Sequence, residues 1–99
     1  MRLTQQQIAH IRQSVHDLVG ADVRVWLFGS RVHDDARGGD VDLLLELDSF
    51  VPEPAALASH VATRVSRGMY GRKIDVLLSA PNLAKFPIHT LALAEGIQL

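Results

Sequence analysis

The segment 38–45, Gly-Gly-Asp-Val-Asp-Leu-Leu-Leu, constrains the fold of this chain more than any other stretch. Its apolar side chains predict a buried strand, in which successive side chains alternate between two faces. Asp40 and Asp42 then share one face, with Cα atoms roughly 6.5 Å apart, while the odd-numbered side chains form an apolar face that belongs in a core. Two carboxylates at the mouth of a buried strand are tolerated when a cation balances them.

A second apolar strand, predicted over residues 22–28, ends at Gly29. We expect Gly29 to allow a close approach of the backbone to a ligand, and Ser30 with neighbouring N–H groups to bind phosphate oxygens. Arg31 is expected to neutralise a triphosphate. Together with the two carboxylates, this turn predicts a site for a metal-bound nucleotide.

The rest of the chain alternates helical and strand patterns. The hydrophobic spacing predicts helices over residues 4–19, 30–35, 55–69 and 88–95, and strands over 22–28, 41–47 and 73–78. This alternation predicts an α/β or α+β architecture, in which helices cover a small mixed sheet within a single domain over residues 1–99. His10 and His16 are expected to be exposed or to face a partner rather than to act as metal ligands, because their spacing does not place them together on a helix.

Asp75 interrupts the otherwise apolar third strand, and two interpretations are open. A charge on an edge strand protects a sheet against aggregation. Alternatively, strand pairing brings Asp75 beside Asp40 and Asp42 as a third carboxylate. We favour the second interpretation because the chain already contains an unbalanced carboxylate pair.

Composition excludes several classes of site. The chain has a formal net charge of −1 and no cysteine, which excludes disulfides, thiolate zinc sites and a cysteine nucleophile. Without a global basic field, no direct binding of nucleic acid is expected. No signal-peptide pattern is present, and no apolar run approaches the roughly 20 residues of a membrane span, so the expected location is the cytoplasm.

The carboxylates favour metal-assisted transfer over other chemistry. Neighbouring carboxylates on one strand fit a glycosidase poorly, because its two carboxyl groups face each other across a sugar. No histidine is evidently placed to activate Ser30, and no Walker lysine follows Gly29. Mg²⁺ prefers carboxylate and phosphate oxygens, and two such ions can clamp a nucleotidyl transfer. Asp40 and Asp42 would bridge the ions and the triphosphate, and Asp75 would hold the ion that activates the attacking hydroxyl.

Gly29-Ser30, then nine residues, then Asp40-Val41-Asp42, with Asp75 in a later strand, resembles the signature of the DNA polymerase β-type nucleotidyltransferase superfamily. Three further segments resemble its minimal nucleotidyltransferase branch, and the resemblance covers most of the chain. These segments are Leu27-Phe28-Gly29-Ser30-Arg31, Gly71-Arg72-Lys73-Ile74-Asp75-Val76 and Glu95-Gly96-Ile97. The resemblance implies a polymerase β-like fold, metal binding by the three aspartates, and triphosphate binding by Gly29 and Ser30.

The same resemblance implies Mg²⁺-dependent transfer of AMP from ATP. In this branch the protein is commonly the antitoxin of a HEPN-domain ribonuclease toxin, which it can silence by adenylylating a tyrosine. The alternatives are an antitoxin that neutralises by binding alone, a small-molecule nucleotidyltransferase, and an RNA-tailing enzyme, which the net charge disfavours. The intact set of three carboxylates favours catalysis.

Overall fold

The computed structural model describes residues 3–29 and 40–99 of the chain. Within these ranges the chain forms three helices and four strands. In chain order they are α1 (Gln5–Leu18), β1 (Arg24–Phe28), β2 (Val41–Glu46), α2 (Pro54–Arg67), β3 (Ile74–Ser79), α3 (Pro87–Glu95) and β4 (Ile97–Gln98). The predicted helices and strands in this part are confirmed to within about two residues at each end, and β4 is an addition. The helix predicted over 30–35 lies outside the described residues.

The two longer helices begin at local sequence signals. The N–H of Gln7 donates to Oγ1 of Thr4 at 3.1 Å, and the N–H of Thr4 donates to Oε1 of Gln7 at 2.9 Å. This capping box at the start of α1 satisfies N–H groups that the helix leaves free, which stabilises it by about 1 kcal/mol. Pro54 begins α2, where its missing N–H costs no helical hydrogen bond.

No helix in the described part of the chain is long and apolar enough to cross a membrane.

The strands form a mixed sheet in the order β3-β2-β1-β4. β2 runs parallel to β3, whereas β1 pairs antiparallel with both β2 and β4. α2 connects the parallel strands, because such a pair needs a crossover rather than a hairpin turn. This small mixed sheet with helices packed on it confirms the predicted α+β class.

The main core lies on one face of the sheet, against α1 and α2. Val41, Leu43 and Leu45 of β2 are fully buried there, as the alternation of the sequence predicts. Full burial of one such side chain contributes about 1.5–3 kcal/mol. The two helices contribute the fully buried side chains of Ile11, Val15, Val61 and Val65.

α3 crosses the opposite face of the sheet. Near its start, His89 is buried, and its Nε2–H donates to the carbonyl oxygen of Leu78 in the edge strand β3 at 3.0 Å. At its end, Gly96 lies close to the carbonyl oxygen of Leu27 in β1. Since α1 and α2 occupy the other face, α3 passes over the face on which Leu44 is fully buried.

His10 does not lie at the surface. It is half-buried, and its Nε2 is hydrogen-bonded to the carbonyl oxygen of Val65 at 3.0 Å, which ties α1 to α2. Full exposure of His10, one of the two positions predicted for it, is therefore wrong. Helical spacing within α1 predicts which side chains neighbour one another, but it does not reveal that α2 packs over His10.

Candidate active site

Strand pairing brings together carboxylates that are far apart in the sequence. Asp42 lies opposite Asp75 in the parallel pair of β2 with β3, and opposite Phe28 in the antiparallel pair of β2 with β1. Residues opposite each other on neighbouring strands project from the same face of a sheet. Asp40 precedes Asp42 by two residues and shares that face. The three aspartates therefore lie at one end of the face that α3 partly covers.

The position of β3 agrees with both interpretations of Asp75. β3 is an edge strand, where a charge limits aggregation. It is also in register with β2, so that Asp75 lies beside Asp42 with 49% of its side chain exposed. Placing Asp75 beside Asp42 brings two negative charges together, and the resulting repulsion destabilises ionised Asp42. Protection of an edge strand against aggregation does not by itself require such a pair.

Asp42 bears that electrostatic cost. Its partial burial raises the pKa of its carboxyl group, and the negative charges of Asp75 and Asp40 raise it further. A hydrogen bond with Asp75 acts in the same direction because only protonated Asp42 can donate it, whereas the positive charge of Lys73 opposes the shift. A cation bound beside Asp42 would relieve this repulsion, which is the behaviour expected of a cation-binding carboxylate.

Gly29 places the end of β1 directly against Asp42. Its φ of +77° lies in the left-handed region, where a side chain is disfavoured. A Cβ atom at this position would also clash with Oδ2 of Asp42. Glycine therefore lets the backbone at the end of β1 lie directly against the carboxylate of Asp42.

Among the described residues, Lys73 is the basic side chain that lies within ion-pair distance of two of the carboxylates. Its Nζ lies 3.9 Å from Oδ2 of Asp40 and 3.9 Å from Oδ1 of Asp75. Lys73 is a residue of the site that was not predicted from the sequence. The signal was available, because Lys73 precedes Asp75 by two residues and therefore shares its face.

The three carboxylates suit a hard divalent cation in their chemistry. All are oxygen ligands, and two of them are adjacent in register, which is the donor type that Mg²⁺ prefers. In residues 3–29 and 40–99, however, no three acidic, histidine or cysteine side chains already converge as a metal-binding cluster. The ammonium of Lys73 lies within ion-pair distance of both Asp40 and Asp75, so binding of a metal by this set requires side-chain rearrangement.

A second charged cluster lies at the other end of the same face. Arg24 donates to Oε1 of Glu46 at 3.3 Å and to both carboxylate oxygens of Asp48 at 3.0 and 3.2 Å. Trp26, which is half-buried, donates from Nε1 to Oε1 of Glu46 at 2.5 Å. The bonds to Arg24 lower the pKa of Asp48. These groups satisfy one another, which is typical of a structural cluster.

The remaining predicted site residues, Ser30 and Arg31, lie outside the described residues. Their expected contacts with a triphosphate stay predictions. The roles of Asp40, Asp42 and Asp75 as metal ligands, and that of Gly29 in nucleotide binding, are likewise predictions.

Comparison with known protein families agrees with the fold of the chain. Residues 8–94 match the family described as a nucleotidyltransferase domain, and this range contains α2, all but the last residue of α3, the strands β1 to β3 and the three aspartates. None of the curated proteins matches the chain. Members of this family typically use a nucleotide substrate and a divalent metal. Since the family match extends over most of the chain, the protein belongs to the nucleotidyltransferase domain family, and its general activity is nucleotidyl transfer.

Proposed function

We propose that this protein transfers AMP from ATP to a partner protein in a Mg²⁺-dependent reaction. The proposed acceptor is a tyrosine of a HEPN-type ribonuclease toxin, for which the protein acts as antitoxin. The observation that carries the proposal is the register of Asp42 with Asp75 beside Gly29, in a chain of the nucleotidyltransferase family.

The proposed reaction assigns a role to each carboxylate. Asp40, Asp42 and Asp75 would hold Mg²⁺, which when bound supplies positive charge for the triphosphate and lowers the pKa of the attacking hydroxyl. The acceptor oxygen forms a bond to the α-phosphorus, the bond from that phosphorus to the bridging oxygen breaks, and pyrophosphate leaves. Asp75, which is half exposed, accepts the proton of the hydroxyl.

The exposure of the site supports a macromolecular acceptor. The side chains of Asp40 and Asp75 are 53% and 49% exposed, so a residue on the surface of another protein can reach them. α3 and its N-cap residue also present large apolar side chains to solvent, as expected of a protein contact surface. These side chains are Phe86, Ile88, Leu91 and Leu93. The same surface supports the alternative that the protein neutralises a toxin by binding alone.

The test combines the protein with ATP, Mg²⁺ and the product of the adjacent reading frame, followed by the intact mass of the partner. We expect the partner to gain one or more AMP units. The variant Asp40→Asn with Asp42→Asn should abolish this gain. A matched control, Asp17→Asn with Asp22→Asn, makes the same change in net charge at two exposed residues and should leave it intact.

Tyr70 provides a further control because it is the single tyrosine of the chain and is fully exposed. The Tyr70→Phe variant should still transfer AMP to the partner. This result would show that transfer to the partner does not depend on modification of the protein's own tyrosine. Full neutralisation of the toxin by the Asp40→Asn, Asp42→Asn variant would instead favour the binding-only antitoxin. Absence of AMP transfer by the wild-type protein would overturn the proposed reaction.

A further inference from the structure

The position of Lys73 is unusual for a surface lysine because its ammonium approaches two carboxylates from different strands. Nζ lies 3.9 Å from Oδ2 of Asp40 and 3.9 Å from Oδ1 of Asp75. The backbone beneath it is held in place, since the carbonyl oxygen of Lys73 accepts a hydrogen bond from the N–H of Val41 at 3.1 Å. The side chain itself is 69% exposed and free to swing outward.

The ammonium and a divalent cation compete for the same oxygen atoms. Mg²⁺ binds oxygen ligands at about 2.0–2.1 Å, so an ion held by Asp40 and Asp75 would take the space and the charge that Lys73 now uses. One unit charge acting on another at about 4 Å in water changes an equilibrium constant roughly fivefold. The repulsion between the ammonium and a doubly charged ion is therefore sufficient to displace an exposed lysine.

Removing the positive charge of Lys73 without binding a cation in its place would destabilise the folded protein, because the carboxylates would repel one another more strongly. Asp42 lies beside Asp75, and the negative charges of Asp75 and Asp40 both act on it. In the part of the chain that the structure describes, Lys73 supplies a positive charge that opposes this repulsion at Asp42. The ammonium of Lys73 thus stabilises the carboxylates in the cation-free protein, and it competes with a divalent cation for the same oxygen atoms.

We propose that Lys73 is an exchangeable internal counterion: its single positive charge partly offsets the negative charges of Asp40 and Asp75 in the cation-free protein, and its ammonium is displaced when a divalent cation binds. The affinity for the cation is then set by competition with this lysine. Lys73 is a positioning residue in this scheme. The inference rests on the proposed metal-dependent function and adds to it a residue that controls occupancy of the site.

The experiment measures Mn²⁺ binding to the nucleotide-free protein by electron paramagnetic resonance, together with the melting temperature in EDTA and in Mn²⁺. The variant Lys73→Met keeps an unbranched side chain, shorter by one atom, and removes its charge. We expect Mn²⁺ to bind roughly 3- to 10-fold more tightly. The melting temperature in EDTA should fall, and its rise on addition of Mn²⁺ should exceed that of the wild type.

Two variants serve as controls. Lys73→Arg retains the charge and should keep Mn²⁺ affinity near the wild-type value. Arg12→Met makes the same change in net charge as Lys73→Met, at an exposed residue of α1, and should also bind Mn²⁺ like the wild type. Tighter Mn²⁺ binding in Lys73→Met, but not in Lys73→Arg or Arg12→Met, supports displacement of the Lys73 ammonium by the bound cation.

A lower melting temperature of Lys73→Met with unchanged or weaker Mn²⁺ binding would overturn the inference, because the lysine would then be structural or would assist the metal. The metal site itself is tested separately by Asp42→Asn, which should weaken Mn²⁺ binding. If the wild type binds no Mn²⁺ and Asp42→Asn changes nothing, the proposed metal-dependent function fails, and the role of Lys73 fails with it.

Discussion

Among the individual side chains, Asp42 links the candidate site to the stability of the fold. Burial and the charges of Asp75 and Asp40 raise the pKa of its carboxyl group. The folded protein therefore binds this proton more tightly than the unfolded chain does, and ionised Asp42 lowers the free energy of unfolding. This penalty is complete above the raised pKa and disappears below the ordinary aspartate value of about 3.9.

We accordingly predict that Asp42→Asn raises the melting temperature at pH 7 by roughly 2–5 °C in the absence of divalent cations. The gain should shrink as pH falls through the raised pKa, and it should vanish below about pH 4, when Asp42 is protonated in both states. Thermal melts in EDTA across this pH range provide the measurement. A gain that does not depend on pH would show that charge at Asp42 is not its cause.

Asp48 is the matched control because hydrogen bonds from Arg24 lower its pKa. Its stabilising effect is present above the ordinary aspartate pKa and is lost as pH falls through the lowered value. Asp48→Asn should therefore slightly lower the melting temperature at pH 7, opposite in sign to Asp42→Asn. The effect is small because the Asp48 side chain is 75% exposed.

Substitution of Gly29 is expected to destabilise the protein for two reasons that can be measured separately. Both Gly29→Ala and Gly71→Ala place a side chain on a residue with positive φ, which is +75° at Gly71. Only Gly29→Ala also brings the added Cβ into a clash with Asp42, because nothing lies within 4 Å of a Cβ at Gly71. We expect Gly71→Ala to destabilise the protein by about 1 kcal/mol and Gly29→Ala by about 2–3 kcal/mol in urea unfolding. Equal losses for the two variants would show that the approach of Gly29 to Asp42 is not constraining.

Among the secondary-structure elements, α3 and β4 depend on a close contact at their junction. A Cβ at Gly96 would clash with the carbonyl oxygen of Ala92 and lie 3.0 Å from that of Leu27. β4 pairs with β1 immediately afterwards, and the N–H of Leu99 donates to the carbonyl oxygen of Val25 at 2.8 Å. Gly96 therefore allows α3 to end directly against the strand that β4 joins.

We predict that Gly96→Ala lowers the free energy of unfolding by about 2 kcal/mol, because either α3 or β4 must move away from β1. Urea denaturation measures the loss, and amide exchange of β4 locates it. Gln98→Ala changes an exposed side chain of the same strand and should remain within about 0.5 kcal/mol of the wild type. Unchanged protection of β4 in Gly96→Ala would contradict this account of the junction.

The molecule in its entirety should respond to divalent cations if the three carboxylates form one site. A cation that binds only the folded state stabilises it by about 1.4 kcal/mol at tenfold its Kd, which corresponds to a rise of roughly 5–10 °C for a domain of this size. We predict such a rise in millimolar Mg²⁺. Sodium chloride at matched ionic strength controls for screening, and the rise should be absent in Asp40→Asn with Asp42→Asn. An equal rise in sodium chloride would contradict specific binding.

Local sequence patterns were sufficient to predict much of this protein. The two-residue period of β2 identified its core face and placed Asp40 and Asp42 on the other, while capping residues and helical spacing located α1 and α2. These features depend on neighbours within one or two turns of chain, so they can be predicted from sequence. The resemblance that Gly29, Ser30 and the aspartates carry likewise identified the family.

Long-range pairing decided what those patterns left open. The parallel register of β2 with β3 placed Asp42 opposite Asp75, and the packing of α2 on α1 buried His10. The same pairing placed Lys73 3.9 Å from Asp40 as well as from Asp75. The spacing of Lys73 and Asp75 within one strand predicts only that these two share a face. Such contacts arise from hydrogen bonds and packing between distant segments, and the alternation within a single strand carries no information about which neighbour it meets.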